Sequence, residues 1–300
     1  MNIAVTGSTG LIGRRLVATL LARGDEVTVL SRDPERARGV LGVTAERWDP
    51  PAEPAPAGAL SGRDGVIHLA GEPLAQRWTT RAREAIRASR EIGTRNLVHG
   101  LSAAAITPGV LVSASAVGFY GSRGDEQLDE SAGPGSDFVA AVCVAWEREA
   151  QAAEELGMRV ARVRAGVVLD PHGGALAKML PPFRLGIGGP VAGGRQWLSW
   201  IHADDIVAIY LAALDGDAWR GPVNASAPEP ARNHDFSRAL GRALRRPALL
   251  PVPALALRAL YGDMAQIVTA GQRVVPAFAL EHGFAFRHPD LDEALRSAIG

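Results

Sequence analysis

The amino-acid sequence predicts an α/β fold: a doubly wound parallel sheet with a smaller mixed region on its C-terminal, substrate side. Three observations support this prediction. The 300 residues, 47% of them hydrophobic, suffice for one large domain or for a large domain with a small annex. Short β-branched or apolar runs alternate with longer helical patterns over the first two-thirds of the chain, as in βαβ units. The first apolar run also passes directly into a glycine-rich turn and an amphipathic helix.

Six strands and four helices are predicted before residue 165. The strands are expected at Asn2–Thr6, Glu26–Leu30, Ala45–Trp48, Gly65–Leu69, Val110–Ala114 and Arg159–Arg164. The helices are expected at Leu11–Arg23, Pro34–Leu41, Arg81–Ala104 and Phe138–Leu156. The Pro/Ala-rich segment 50–58 is interpreted as a surface connection within the domain.

After Leu169 the regular alternation ends. A helix is expected to open at Gly173–Gly174, a glycine-rich loop spans Gly186–Gly194, and an apolar helix follows at Asp204–Leu214. We therefore predict a dinucleotide-binding domain over residues 1–221 with a substrate-loop insertion at 170–200. Residues 222–300 are expected to form the substrate-side region.

Composition argues against several classes of protein. The formal net charge is zero and no basic patch is evident, which disfavours a nucleic-acid or anionic-membrane partner. The only cysteine, Cys143, excludes an internal disulfide, and the seven histidines show no metal-binding spacing, so no metal is predicted. No apolar run is long enough for a membrane span, and the N-terminus lacks a secretory signal pattern. A cytoplasmic location is expected.

The glycine-rich turn has the residues needed to bind a pyrophosphate. Glycines permit a tight turn and close approach of the backbone, while the helix N-terminus offers N–H donors and a favourable dipole. The spacing is GxxGxxG between a strand and a helix, as expected for a Rossmann-type unit, although a purely structural turn is the alternative. The cofactor-binding residues predicted here are Gly7, Thr9, Gly10, Leu11, Ile12 and Gly13.

The end of the second strand indicates which dinucleotide is bound. An NAD site normally has a carboxylate there for the ribose 2′-hydroxyl, whereas an arginine accommodates a 2′-phosphate. This chain has Ser31 and Arg32, and a guanidinium can donate two charge-assisted hydrogen bonds to a phosphate. NADP(H) is therefore the predicted cofactor. The alternative is that Arg32 is only a solvated surface residue.

Several strings resemble one protein family. TGSTGLIG at the first turn, HLAG at His68–Gly71 and WIHADD at Trp200–Asp205 resemble the extended short-chain dehydrogenase/reductases, within the NAD-dependent epimerase/dehydratase family. SASAVGFYG at Ser113–Gly121 and the tail from about Leu250 resemble its epimerase-family (sugar-nucleotide-epimerase-like) subgroup, which carries a short C-terminal module of unknown function. The resemblance covers essentially the whole chain.

The resemblance implies further cofactor contacts. Asp49 is expected near the adenine, and the remaining contacts are expected around the ribose and nicotinamide. These residues are Leu69, Ala70, Gly71, Glu72, Ser113, Gly166, Val167 and Val168.

The reaction typical of the family uses a serine or threonine, a tyrosine, and a lysine four residues after the tyrosine. The lysine lowers the pKa of the tyrosine so that the phenol can transfer a proton near neutral pH. Ser115 occupies the serine position and is predicted to be catalytic. Val139 and Cys143 occupy the tyrosine and lysine positions, and the only lysine, Lys178, does not lie four residues after any tyrosine.

Other residues are candidates for the missing roles. Tyr120, in the loop after Ser115, is predicted to supply a phenol, or else to pack under the loop; Cys143 is either a catalytic thiol or an apolar filler. The residues predicted to contact substrate are Lys178, Arg195, Gln196 and Trp200. An NADP(H)-dependent oxidoreductase or epimerase-like enzyme acting on an unidentified small molecule is predicted. The alternative is a non-catalytic NADP(H)-binding sensor or regulator.

Overall fold

The computed structural model describes residues 1–300. Its strands are β1 (Asn2–Thr6), β2 (Glu26–Ser31), β3 (Thr44–Arg47), β4 (Gly65–His68), β5 (Val110–Ala116), β6 (Gln127–Leu128), β7 (Arg159–Ala165), β8 (Val167–Leu169), β9 (Trp197–Leu198), β10 (Trp200–His202), β11 (Gly221–Ala225), β12 (Ala231–Arg232) and β13 (Arg273–Val274). Its helices are α1 (Leu11–Ala22), α2 (Pro34–Leu41), α3 (Ala57–Leu60), α4 (Thr80–Ser102), α5 (Phe138–Gln151), α6 (Gly174–Arg184), α7 (Ala203–Asp215), α8 (Asn233–Leu244), α9 (Ala254–Tyr261), α10 (Ala265–Thr269), α11 (Ala277–Glu281) and α12 (Leu291–Ile299). No helix combines the length and apolarity that crossing a bilayer requires.

Seven strands form one parallel sheet in the order β11-β7-β5-β4-β1-β2-β3. The chain starts at β1, proceeds outward through β2 and β3, and then crosses to β4 on the other side of β1. The direction of winding therefore reverses between β1 and β4, and the crevice beyond the carboxyl ends of these strands is where such sheets bind ligands. The predicted α/β, doubly wound fold is confirmed.

Apolar side chains cover both faces of the sheet. On one face Leu16 and Leu20 of α1 pack with Ile206 and Tyr210 of α7. On the other face Leu97 of α4 joins the second buried cluster, together with residues around α5. Burial on both faces explains why the strands read as nearly continuous apolar runs in the sequence.

The predicted element boundaries agree with the structure to within two residues for the six strands, but two predictions need correction. The helix expected at Phe138–Leu156 leaves α-helical geometry after Gln151 and continues as a 3-10 turn. The domain boundary at residues 221 and 222 falls inside β11, which pairs in parallel with β7. The short segment GPVNA carries a proline and gives little strand signal by itself, so only the pairing reveals it as the seventh strand.

The C-terminal region packs on the sheet domain through some of its residues only. Leu295 of α12 is fully buried beside Phe236 of α8 and Leu176 of α6. The apolar residues of α9 have the spacing of a helix that packs through one face, but they are not covered: Leu255 is 79% exposed and no residue of α9 is buried. Sequence periodicity identified the helix, but it could not show that nothing in this chain covers it.

Candidate functional site

A cleft of about 250 Å³ lies at the carboxyl ends of β1, β4, β5 and β7. The crevice expected from the winding of the sheet is therefore present. Its lining residues are Gly7, Gly10, Leu11, Ile12, Gly13, Leu69, Leu74, Ile86, Arg90, Ala114, Ser115, Ala116, Phe138, Val139, Val142, Cys143, Trp146, Ala165 and Tyr210.

The glycine-rich turn has the geometry of an anion cradle. Gly7 has a φ of +66°, and a Cβ there would lie 2.6 Å from the carbonyl carbon of Leu69. A Cβ on Gly13 would lie 2.4 Å from the Gly7 carbonyl oxygen, so both positions exclude a side chain. Gly10 begins α1 without any side-chain cap, which leaves the first N–H groups of the helix free for a ligand. These residues fit a pyrophosphate.

The residues predicted to bind the adenosine, Ser31, Arg32 and Asp49, do not line this cleft. Ser31 ends β2, and Arg32 follows with its side chain exposed. The carboxylate of Asp33 accepts a hydrogen bond from the Arg36 N–H at 3.0 Å and thereby caps α2. Asp49 is half-buried in the loop after β3.

His68 fixes the end of β4 behind the cofactor crevice. Its ring is fully buried and hydrogen-bonded to Thr6 Oγ1 at 2.7 Å and to Thr94 Oγ1 at 3.0 Å. Burial, together with the nearby charge of Arg90, lowers the pKa of His68 to about 3. The imidazole is therefore neutral and ties β4 to β1 and α4.

The segment after His68 is held by further hydrogen bonds. The N–H groups of Leu69 and Ala70 both lie near Thr6 Oγ1, and the N–H of Glu72 donates to Ser89 Oγ at 2.9 Å. Gly71 packs against the Arg90 guanidinium, since a Cβ there would lie 3.2 Å from its Cζ. Of these predicted contacts, Leu69 lines the cleft.

Ser115 lines the cleft and stands at one end of a buried polar network. Its hydroxyl donates to Glu147 Oε1 at 2.7 Å. Glu147 in turn forms a two-point ion pair with Arg164, whose Nε and Nη2 lie 2.8 and 2.9 Å from its two oxygens. All three side chains are buried. Sequence analysis placed Ser115 correctly at the cleft but missed its two partners.

The structure does not bring Tyr120 to the cleft. This side chain is fully buried, its hydroxyl donates to Asn224 Oδ1 at 2.7 Å, and it accepts from Arg164 Nη1 at 2.9 Å. Burial raises the pKa of Tyr120 to about 12. The 3-10 turn at Val117–Tyr120 directs the phenol into the protein, so Tyr120 does not reach the cleft in which it was predicted to supply a proton.

The positions corresponding to the family's tyrosine and lysine do face the cleft. Val139 and Cys143 lie one turn apart on α5, and both line the cavity. Burial, with the charge of Glu147 nearby, raises the pKa of the Cys143 thiol to about 12. The thiol is therefore protonated and apolar in character at neutral pH.

Two further residues at the cleft escaped the sequence analysis. Arg90 on α4 is buried and lines the cavity, and its Cζ lies 5.0 Å from the ring centroid of Trp146 on α5. A signal was present in the sequence: Arg90 follows Ile86 by four residues and precedes Leu97 by seven, which places a charge on the apolar face of the helix.

The four residues predicted to contact substrate do not line this cleft. Lys178 donates to the Ala75 carbonyl at 2.8 Å, Arg195 is exposed, and the Gln196 amide donates to the carbonyls of Val191 and Val268. Trp200 is fully buried and donates to the Glu229 carbonyl. The glycine-rich loop thus packs against the C-terminal region.

The remaining predicted cofactor residues lie beside the cleft without lining it. Ser113 is buried in β5 and bonds the neighbouring Ala114 carbonyl. Gly166 follows β7 and packs tightly against Ser199, and Val167 and Val168 form β8, which pairs with β10.

One cluster of possible metal ligands is present away from the cleft. His202, Asp204 and His288 place ligand atoms within 4.8 Å of one another. His202 Nδ1 already accepts a hydrogen bond from the Asp204 N–H, and the two imidazoles lie with centroids 3.8 Å apart. These contacts describe a helix cap and two imidazoles in contact at an interplanar angle of 40°, and we assign no ion to them.

Comparison with known proteins agrees with this architecture. The pattern of the NAD dependent epimerase/dehydratase family matches residues 3–224, and a domain of unknown function (DUF1731) matches residues 252–298.

The chain belongs to the NAD-dependent epimerase/dehydratase family.

Family members from distant organisms align over the whole chain. The Arabidopsis thaliana "epimerase family protein SDR39U1 homolog, chloroplastic" is 40% identical and covers 100% of this chain and 87% of its own length. The Bacillus subtilis epimerase family protein YfhF is 36% identical over 100% of this chain and 98% of its own. The predicted resemblance, including its C-terminal module, is confirmed.

A solved structure of the family has the same overall arrangement. The crystal structure of human epimerase family protein SDR39U1 (isoform 2) with NADPH superposes with a TM-score of 0.91 and 34% identity, covering 100% of both chains. That relative was therefore crystallised with the phosphorylated dinucleotide.

Proposed function

We propose that this protein binds NADP(H) in the cleft and acts as an oxidoreductase or epimerase-like enzyme on a small molecule, without the tyrosine–lysine pair usual in the family. The observation that supports the proposal most directly is that Ser115 and the uncapped glycine loop line one continuous cleft. NADPH in the human relative and the Ser31–Arg32 pair support the choice of cofactor.

When bound, the nicotinamide would donate or accept a hydride. The protons of such a reaction must then be moved by the protein. The Ser115 hydroxyl donates a hydrogen bond to Glu147, which leaves the lone pairs of Ser115 Oγ available to accept from a ligand hydroxyl. Rotation of the same hydroxyl away from Glu147 would make it a donor to a carbonyl oxygen.

Glu147 gives Ser115 a buried proton acceptor. Its two oxygens also accept hydrogen bonds from Arg164 Nε and Nη2 at 2.8 and 2.9 Å. In an oxidation, the ligand hydroxyl would give its proton to Ser115 Oγ while the Ser115 hydroxyl proton moves to Glu147 Oε1, 2.7 Å away. We assign Ser115 as the catalytic residue and Glu147 as the residue that positions and relays its proton.

A non-catalytic NADP(H)-binding sensor is the second candidate. It is favoured by Val139 and by the protonated thiol of Cys143, neither of which can transfer a proton at neutral pH. In this case the Ser115–Glu147–Arg164 network would be structural only.

The experiment is a NADPH titration followed by stopped-flow measurement of NADPH oxidation with a panel of aldehydes and ketones. An enzyme should oxidise bound NADPH with at least one compound, and Ser115→Ala should slow that step while leaving NADPH affinity unchanged. The exposed Ser131→Ala serves as the matched control. Tight NADPH binding with no oxidation by any compound would favour the sensor, and absence of NADPH binding would refute both.

A further inference from the structure

The Arg90 guanidinium is a buried cation that forms no salt bridge, although the charge of Glu72 lies in its vicinity. Arg90 is 9% exposed, and its hydrogen bonds run only from Nη1 to the backbone carbonyls of Glu72 and Ile86. Isolation of a charge from water is costly unless an opposite charge or full hydrogen bonding compensates it. The remaining donors of Arg90 are therefore available for a ligand at the cleft that this side chain lines.

A second donor in the same cleft also lacks a partner. Trp146 is 5% exposed, lines the cavity beside Arg90, and its buried Nε1–H has no hydrogen-bond acceptor in the protein. An indole N–H is a donor only, so nothing but an acceptor group can satisfy it. Two unsatisfied donors thus occur on neighbouring side chains, which are stacked at 5.0 Å.

The wall around these donors is apolar. Leu74, Ile86, Phe138 and Val142 also line the cavity and belong to one apolar cluster. Such a surface offers few hydrogen-bond partners to the hydroxyls of a sugar. It is better suited to a hydrocarbon or aromatic ring, whose apolar surface it would remove from water.

We propose that this part of the cleft binds the carboxylate of an otherwise apolar, ring-containing acid, with Arg90 and Trp146 as the residues that hold the carboxylate. The inference rests on the proposed function, because it names the substrate class of the same site. A planar guanidinium is suited to a carboxylate, with which it forms short, charge-assisted hydrogen bonds.

The cofactor pyrophosphate is the other anionic group that could reach Arg90. We assign Arg90 to the substrate because the free N–H groups at the start of α1 already provide for a pyrophosphate. Arg90 instead contacts Trp146 on α5, the helix whose Glu147 accepts the hydrogen bond of Ser115. The experiment below distinguishes a substrate carboxylate from the cofactor pyrophosphate as the anion that Arg90 binds.

The test is calorimetric titration of 2-naphthoate, and of the neutral 2-naphthylmethanol, into the protein with and without saturating NADP⁺. Naphthoate should bind more tightly than the alcohol. Arg90→Gln should weaken naphthoate about tenfold or more, as expected for loss of a charge-assisted hydrogen bond, and should leave the alcohol and NADPH unchanged. Arg95→Gln, on the same helix but paired with Glu149 at the surface, is the control and should change nothing.

Trp146→Phe keeps an aromatic ring at the site and removes only the N–H donor, so it should weaken naphthoate by a few-fold. If Arg90→Gln does not fold, the naphthoate affinities of Trp146→Phe and Arg90→Lys test the proposal in its place. Equal naphthoate affinity in wild type and these variants, or no naphthoate binding by the wild type, would overturn the proposal. A loss of NADPH affinity in Arg90→Gln would assign Arg90 to the cofactor and overturn it too. Failure of the wild type to bind NADPH would instead refute the proposed function, and the titrations without NADP⁺ still report on the acid site.

Discussion

Mild acid should destabilise this protein measurably through one side chain, His68. The folded protein keeps this imidazole neutral, with a pKa of about 3, because the ring is buried and lies near the charge of Arg90. In the unfolded chain the pKa returns to about 6.5. Below pH 6.5 the unfolded state therefore binds a proton that the folded state does not, so stability falls as the pH decreases toward 3.

The magnitude follows from the two pKa values. Each pH unit between them costs about 1.4 kcal/mol, so at pH 5 the loss is about 2 kcal/mol relative to pH 7 or above. For a chain of 300 residues, with an unfolding entropy of about 0.6 kcal/mol per K, this corresponds to a decrease of about 3 °C in Tm.

The assay compares the wild type with His68→Gln, by thermal and urea unfolding at pH 7 and pH 5. Glutamine keeps a donor and an acceptor for Thr6 and Thr94 but does not titrate. The wild type should lose about 2 kcal/mol more than the variant between the two pH values. Titration of other groups, including His202, whose pKa burial also lowers, occurs in both proteins and cancels. An identical pH dependence in the two proteins would refute the assignment of a neutral, buried His68.

Three further predictions concern the cofactor site and the C-terminal packing. Arg32→Ala should weaken NADPH binding about tenfold or more and leave NADH binding nearly unchanged, measured by fluorescence titration; equal losses for both cofactors would contradict the 2′-phosphate contact. Gly13→Ala should abolish NADPH binding because its Cβ would lie 2.4 Å from the Gly7 oxygen, whereas Gly39→Ala, with no atom nearby, should bind normally. Leu295→Ala should lower Tm by about 3–8 °C, from about 2–5 kcal/mol for a buried leucine. The exposed Leu255→Ala should shift Tm by less than about 1 °C, and equal effects of the two leucine variants would contradict the packing described for the tail.

Local patterns determined much of the fold and of the cofactor site. Strand β1, the turn at Gly7–Gly13 and helix α1 are contiguous in the chain, so their propensities and spacing were sufficient to predict a pyrophosphate cradle. Ser31 and Arg32 were predicted in the same way, because a strand end and the residues after it keep their relation in any Rossmann sheet. Ser115 followed from the family resemblance and from its place at the end of β5.

Only the tertiary structure decided what stands around these residues. Glu147 and Arg164 meet Ser115 from a helix and another strand, and Tyr120 is drawn away by Asn224, 104 residues later in the chain. The exposure of α9 likewise depends on which segments pack against it, and not on the spacing of apolar residues in its own sequence. Backbone propensity and hydrophobic period act over a few residues, whereas burial, ion pairing and pKa depend on which distant segments meet. For this reason the sequence could predict a dinucleotide cleft, while the paired carboxylate behind Ser115 and the unpaired cation at Arg90 appeared only once the chain was folded.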